Sequence, residues 1–569
     1  MRKPTVKNRL YLCLLCLATT LLAAKQFVSV GYYSVLHDDT VTYVGWARQF
    51  LQGLREGVWY PRWMPDECRG YGCPTFLLYP PLSFYAAAAF AELTGSLLLG
   101  MNMVRWLALY LTSLGIYFLL REHLTPRSAF LAALCYLLFP FTVLQQYLCG
   151  SFAATVSTVW FAPILVHLLR YHRNRHWAAV IWAGLCYGGL LLTHLINAYM
   201  FSFVMGGLLV CLATGGRRVA TLWALPLVMA IGALVSAAYL LPLVCERGDL
   251  QLASFVTQGA GFDYRYFFLF PSRVHLIPPS VFWPRFYRLY LVHELLLLGL
   301  LGYALLRLVR VGRTPGDFQN TGAPLCRLFA VLALLTLYPT IGASQWMWRL
   351  VPFFNYIQFP YRWLQLSVFL CTPVAGWLWA VQERACPART FRASVAMTMV
   401  AMATVAVCWI QQAHGLTGKE LAAQAGPSPP EHLPVGVEAG SLQRAARTAV
   451  VEGRGTAAVL RWQTTRRLVA VMAGENLTIR LGTLHFPGWR AYLDGNPLTL
   501  KAEAGSGAML ARVPSGSHRL ELEFVDTGPR LLGKALSLAS LTLLAGWLVA
   551  LRRTGRSTAC PSLPGDGAG

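Results

Sequence analysis

Twelve apolar runs constrain this chain more than any other feature. Each is close to the roughly 20 residues a helix needs to cross a bilayer. They lie near 10–30, 103–120, 128–144, 153–169, 177–195, 198–213, 219–244, 289–309, 325–342, 363–381, 393–410 and 531–551. Basic residues gather at every second connection. Arg2, Lys3, Lys7 and Arg9 precede the first run, Arg121 and Arg127 follow the second, and Arg170, Arg173 and Arg175 the fourth. Arg217 and Arg218 follow the sixth run, Arg307, Arg310 and Arg313 the eighth, Arg384, Arg389 and Arg392 the tenth, and Arg552, Arg553 and Arg556 the last. Cationic loops stay in the cytoplasm, so both termini are expected there. These clusters account for the net charge of +24 and argue against a nucleic-acid partner, which would require a continuous basic face. With 56% hydrophobic and 13% charged residues, the expected class is a mainly α polytopic membrane protein. The first run follows MRKPTVKNRL and lacks a convincing small-x-small cleavage site, so it reads as a retained helix.

One further apolar stretch, 76–99, opens with FLLYPPLSFY. Paired prolines suit a helix start at an interface, so it reads as a juxtamembrane or re-entrant helix. Counting it as a thirteenth span would invert every later loop. The outer connections are then 31–102, 145–152, the turn near Asn197, 245–288, 343–362 and 411–530. The first is long and amphipathic, with Trp46, Trp59 and Trp63 among tyrosines, a composition that lies in the membrane interface. It carries two acidic pairs, Asp38 with Asp39 and Asp66 with Glu67. Acids held close to lipid are costly and raise a functional suspicion.

Segment 411–530 changes character. A Gly/Pro/Ala-rich linker gives way to short alternating runs such as RLVAVMAG, LTIRLGTLHF and HRLELEFVD. Period-two alternation between turn signals, DGNP at 494–497 among them, predicts a small β-sandwich. The expected division is a membrane domain over 1–410, with outer loop 31–102. A β-rich domain over 411–530 and a last helix with a cytoplasmic tail over 531–569 complete it. Asn476-Leu477-Thr478 matches a glycosylation sequon, a motif short enough to arise by chance.

Asp38 and Asp39 repel one another's charge, so one can hold a raised pKa and accept a proton. The plainer reading makes them N-caps of a helix starting near Val41; both roles are compatible. Arg62 and Arg69 in WYPRWMPDECRGYGC can grip a phosphate bidentately or snorkel to headgroups. Asp66 and Glu67 read as a second acid site, as ligands of a divalent metal or as solvated acids. Thr193, His194 and Asn197 sit in an apolar run and need polar partners, from neighbouring helices or from a substrate cavity. Arg265, Arg285, Arg349 and Arg362 are further candidates for a lipid phosphate or for interface anchoring. Cys68 and Cys73 can close a disulfide, remain thiols or, less readily, bind metal.

The order HDD, GVWYPRW, GYGCPTFLLYPPL, QFPYRWL resembles the bacterial membrane proteins labelled 6-pyruvoyl-tetrahydropterin-synthase-related. The tail FPGWRAYLDGNPL with VPSGSHRLELEFVDTG resembles the outer β-domain of YfhO-like proteins. Together they are similar to the GT-C superfamily of polyprenyl-phosphate-sugar glycosyltransferases. The label does not imply pterin chemistry, for which no residues are present. The resemblance implies an acid in the first outer loop, a place Asp39 fits best and Asp38 second. That family often has a histidine four residues on, where this chain has Tyr43.

The resulting expectation is an inverting glycosyltransferase of a bacterial cytoplasmic membrane, active on its outer face. The donor would be a polyprenyl-phosphate-linked sugar and the acceptor a glycan, lipid or protein. Asp39 would act as base, with Asp38 beside it. Arg62, Arg69, Arg349 and Arg362 would hold phosphate, and Tyr43, Trp63, Tyr79 and His194 would contact the sugar. The rival expectations are a transporter or flippase of lipid-linked glycans and a non-catalytic envelope-assembly protein.

Overall fold

The computed structural model describes residues 6–28, 31–33, 37–214, 221–257, 263–269, 284–311, 322–413, 415–417 and 429–557. Arg217, Arg218 and Arg313 fall outside them, as do the side chains of Asp38, Asp39, Arg285, Arg552, Arg553 and Arg556.

Every expected run is occupied by apolar helix. Among the described residues nine helices are long and apolar enough to cross a membrane: Val6–Val28, Leu97–Leu120, Phe152–Asn174, Leu195–Ala213, Tyr290–Arg310, Ala323–Thr340, Pro360–Ala385, Ala388–Gln412 and Gly528–Ala550. Two further runs are bent pairs, Pro126–Leu138 with Pro140–Tyr147 at 43° and Ala224–Val235 with Ala237–Asp249 at 86°. The first bend has a plain cause. Phe139 precedes a proline and is extended, with ψ 130°, because proline disfavours helical backbone in the residue before it. The remaining run, Trp177–Thr193, has 17 residues.

The extra apolar stretch holds a shorter helix than the spans. Its helix, Leu82–Thr94, has 13 residues and so reaches only about 20 Å, short of a hydrocarbon core of roughly 30 Å. Pro81 precedes it and Gly95, at φ +70°, ends it. It folds back as a hairpin against Leu97–Leu120. A Cβ at Gly100 would lie 2.7 Å from the Ala91 nitrogen, so only glycine allows this approach.

The β module holds two antiparallel sheets. One has the order β3 (Thr448–Glu452), β6 (Leu477–Leu484), β10 (Ala508–Val513), β9 (Lys501–Ala502). The other runs β4 (Gly455–Trp462), β5 (Arg466–Ala473), β11 (Gly516–Phe524), β7 (Trp489–Leu493), β8 (Asn496–Leu498). The alternating residues Val469, Val471, Ile479, Leu481, Met509, Ala511, Leu520 and Leu522 are buried together between them. A two-stranded ribbon, β1 (Tyr32–Tyr33) with β2 (Gly415–Leu416), ties the chain after the first span to the chain after Ala388–Gln412.

The first outer loop and the β module share a core. Trp63, Cys68, Tyr71, Cys73 and Leu77 of the loop pack with Leu484, Phe486 and Ala508 of the module. Trp63 stands edge-on to Trp489 at 5.3 Å and meets Phe524 at the same distance. Leu484 N donates to Tyr71 O at 3.1 Å, and Ala445 N to Arg69 O at 3.0 Å. Two ion pairs complete the seam. The Arg62 Nη1 bonds Asp526 Oδ1 at 3.0 Å, and Arg530 Nη2 bonds Glu246 Oε2 at 2.7 Å.

The DG turn behaves as expected. Asp494 and Gly495 have positive φ, +51° and +83°. Asp494 Oδ1 accepts from Arg519 N at 2.7 Å, and Oδ2 meets His518 Nδ1 at 2.6 Å. His518 holds Asp494 below the usual carboxylate range, helped by Arg519 N, and Asp494 raises His518 above its ordinary 6.5. The pair's contribution is therefore complete between the two ordinary values. It is lost as pH falls through the depressed Asp494 pKa, or rises through the raised His518 pKa. A histidine-labelled NMR titration is expected to place the His518 midpoint above 6.5, and Asp494→Asn to bring it down. An unmoved midpoint in that variant would break the assignment.

Candidate functional site

The helix that carries the acids, His37–Arg55, begins at His37. This is four residues earlier than the Val41 start expected from sequence, so positions 38 and 39 lie inside its first turn. Carboxylates there are favoured by the helix dipole. Helical spacing puts positions 39, 43, 46 and 50 on one face. Along it, Tyr79 Oη donates to Tyr43 Oη at 2.9 Å. Trp46 packs on Tyr79 at 5.0 Å and on the His432 ring at 5.2 Å. Trp46, Thr40 and His432 are all buried. The Thr40 hydroxyl, Trp46 Nε1 and His432 Nδ1 have no hydrogen-bond partner there. Burial pushes His432 down to about 3, so its ring is neutral and one nitrogen is an acceptor. The two adjacent unsatisfied groups, Trp46 Nε1 and His432 Nδ1, suit a hydroxyl-bearing ligand, since each bond left unmade costs about 1–3 kcal/mol.

A polar layer joins the C-terminal end of helix Val6–Val28 to helix Leu97–Leu120 and to Gln146. Asn102 Nδ2 donates to Gln26 O at 3.2 Å and Gly31 O at 3.0 Å. Gln146 Nε2 donates to Gln26 Oε1 at 3.0 Å, and Gln146 Oε1 accepts from Arg105 Nε at 3.3 Å. Arg105 is fully buried. It was not singled out from the sequence, although an arginine one-third of the way into an apolar helix is a readable signal. The same signal marks His293 and Glu294, both buried in Tyr290–Arg310. Glu294 Oε1 accepts from Thr340 Oγ1 at 2.8 Å, while Oε2 has no partner.

The expected residues scatter more widely. Arg62 is 3% exposed. It bonds Asp526, donates from Nη2 to Ala238 O at 3.0 Å and covers the Tyr60 ring at 3.9 Å. A phosphate could take it only by breaking the seam, so its place is structural. Trp63 is likewise enclosed in the seam rather than open to a sugar. Arg69 is exposed, with left-handed backbone at φ +58°. Arg265 is paired with Asp263, and Arg349 is exposed. Arg362 is half-buried, donates to Ile357 O at 2.9 Å and covers Phe359.

His194 caps helix Leu195–Ala213, its Nδ1 accepting from Asn197 N at 3.0 Å. Asn197 Nδ2 donates to Ser157 Oγ at 2.7 Å and Gln365 Oε1 at 2.9 Å. Thr193 Oγ1 accepts from Trp160 Nε1 at 2.9 Å. The trio therefore ties helices together. Asp66 pairs with Arg48 at 3.1 Å, and Glu67 accepts from Gln49 Nε2 at 3.1 Å. Among the described residues no three His, Cys, Asp or Glu side chains converge as a metal site.

Residues 76–414 match a family model described as the 6-pyruvoyl-tetrahydropterin synthase related domain, membrane protein. The chain belongs to this family. The matched segment leaves the acid-bearing helix on one side and the β module on the other. No curated protein matches the chain. Several solved structures are similar to it. An oligosaccharyltransferase from Archaeoglobus fulgidus, solved with zinc and sulfate, aligns at 14% identity and a TM-score of 0.43, over 74% of this chain and 58% of its own. The AglB oligosaccharyltransferase of that organism, solved with an inhibitory peptide and a dolichol-phosphate, aligns at 15% identity and 0.41, over 75% and 60%. ArnT from Cupriavidus metallidurans, bound to undecaprenyl phosphate, aligns at 11% identity and 0.34, over 64% and 77%. The chain thus spans about three fifths of the archaeal proteins' length. At these identities and scores none assigns a reaction or a residue role.

If Arg62 is structural, Arg62→Ala removes the buried partner of Asp526 and of the Ala238 carbonyl while Lys534 still pairs with Asp526, and the loss of about 1–3 kcal/mol is read as a lowered melting temperature in detergent. Arg69→Ala should leave melting unchanged. Normal melting of the Arg62 variant would return Arg62 to the list of ligand contacts.

Proposed function

We propose that this family member is an inverting glycosyltransferase of the GT-C type. It would work on the outer face of a bacterial cytoplasmic membrane, with a polyprenyl-phosphate sugar as donor. The observation that carries the reading is the aromatic face of helix His37–Arg55. Position 39 shares that face with Tyr43 and Trp46, and along it lie the polar atoms of Trp46 and His432 that have no hydrogen-bond partner among the described residues. Such a wall fits sugar hydroxyls and apolar ring faces together.

In this reading Asp39 removes the proton from an acceptor hydroxyl or amine as that group attacks the anomeric carbon. The bond from that carbon to the lipid phosphate breaks, and the phosphate leaves with the electron pair. A fixed cation stabilises the charge as it develops. Arg362 is best suited among the sequence candidates, because one carbonyl and the Phe359 face orient it without burying it. Asp38 and the neighbouring backbone would hold the base in place.

The test is turnover by the purified, reconstituted protein. Undecaprenyl-phosphate sugars serve as donors, and the release of undecaprenyl phosphate is the readout. Loss of a general base costs about 10²–10⁴-fold, so Asp39→Asn should drop turnover by that range with unchanged melting. Full activity in that variant would remove Asp39 as base.

Arg105 and Glu294, buried at outer span ends, favour a second reading, movement of lipid-linked glycans, because intramembrane charges mark transport paths. Movement of the donor between leaflets without cleavage would decide for it.

A further inference from the structure

The turn at 67–73 has no use in the site above, yet it is built with unusual backbone. Cys68 and Arg69 are left-handed, at φ +53° and +58°, and Gly70 and Gly72 follow at +91° and +77°. Non-glycine residues avoid this region, so the turn is held there by what surrounds it. A Cβ at Gly72 would lie 2.3 Å from Trp63 Nε1. Met64 N donates to Cys73 O at 2.9 Å and Cys73 N to Met64 O at 3.1 Å. The chain therefore doubles back and brings the side chains of Cys68 and Cys73 together. Both are thiols and both are buried in one small core cluster; burial, with Cys68 beside it, pushes the Cys73 thiol up. The other described cysteines lie in apolar helices or at their ends.

We propose that Cys68 and Cys73 are a modification site, oxidised to a disulfide in the mature protein. The inference rests on the outer-face placement of this loop in the functional reading, because disulfides persist only in an oxidising compartment. The oxidant is a disulfide of an extracytoplasmic thiol oxidase. One cysteine thiolate attacks it to form a mixed disulfide, and the second displaces the enzyme thiol. A sulfur–sulfur bond forms within the chain, the oxidase's own disulfide breaks, and the two electrons and two protons of the cysteines pass to the oxidase, which becomes a dithiol. Both sulfurs are enclosed once the β module is seated, so the exchange precedes seating. The bond then fixes the turn whose carbonyls, Arg69 O and Tyr71 O, receive the module.

Trypsin offers a direct test, because Arg69 separates the two cysteines. The full-length protein is extracted from membranes with iodoacetamide present and digested without reductant. Peptides 63–69 and 70–105 are expected as one linked species, two hydrogens lighter than their sum, which separates on reduction. In Cys73→Ser they should run apart, with Cys68 alkylated. Separate, doubly alkylated peptides from the natural protein would overturn the proposal. A reporter at the exposed Trp59 distinguishes the two ways of failing. If Trp59→Cys in intact cells reacts with a membrane-impermeant maleimide while the peptides run apart, the disulfide alone is wrong. If it does not react, the outer-face placement falls with it.

Discussion

A buried guanidinium, one of two at the seam, joins the first loop to the chain that leaves the β module. Taking a guanidinium out of water costs several kcal/mol unless charge and hydrogen bonds replace the lost hydration. Arg62 meets that requirement with the Asp526 carboxylate, the Ala238 carbonyl and the face of Tyr60. These partners come from the start of the last helix, the bend between two spans and the loop itself. Arg62 can be satisfied only when all three are in place. The neighbouring Trp63 then fills the space between the loop and the β module. Removing either would free the module from its seat and loosen the loop that carries the acid-bearing helix.

The same seam explains which of the arginines remain for chemistry. Arg62 is committed to the fold, and Glu246 holds Arg530 and Thr527 in a second buried cluster. Arg362 keeps part of its surface, donating to Ile357 O and covering Phe359. The surroundings of Asn102, Gln146 and Asn197 are thus polar and buried, with amide and hydroxyl partners. In such surroundings a fixed charge acts more strongly than it would in water, a condition sugar transfer from a phosphate would use.

Much of the architecture was legible because it depends on local pattern. Apolar runs of one length gave the spans, the Pro80 and Pro81 pair marked the start of a short interfacial helix, and alternation with a DG turn gave the module. Signals within the spans were also present but were weighed too lightly. Arg105, His293 and Glu294 interrupt apolar runs, and each is buried. What the sequence could not give is pairing at a distance. Arg62 and Asp526 are 464 residues apart, and nothing near WYPRW distinguishes a phosphate grip from a keystone. His432 sits in a proline-rich stretch that reads as linker, and only the fold brings its ring onto Trp46.

The most direct test of this account is a double-mutant cycle between Arg62→Ala and Asp526→Ala, read as unfolding free energy in detergent. A keystone pair predicts that the double variant is more stable than the sum of the single losses implies, by about 1–3 kcal/mol, the coupling found between contacting residues. Losses that simply add would mean that the loop and the β module are not held together through this contact, and would contradict the account.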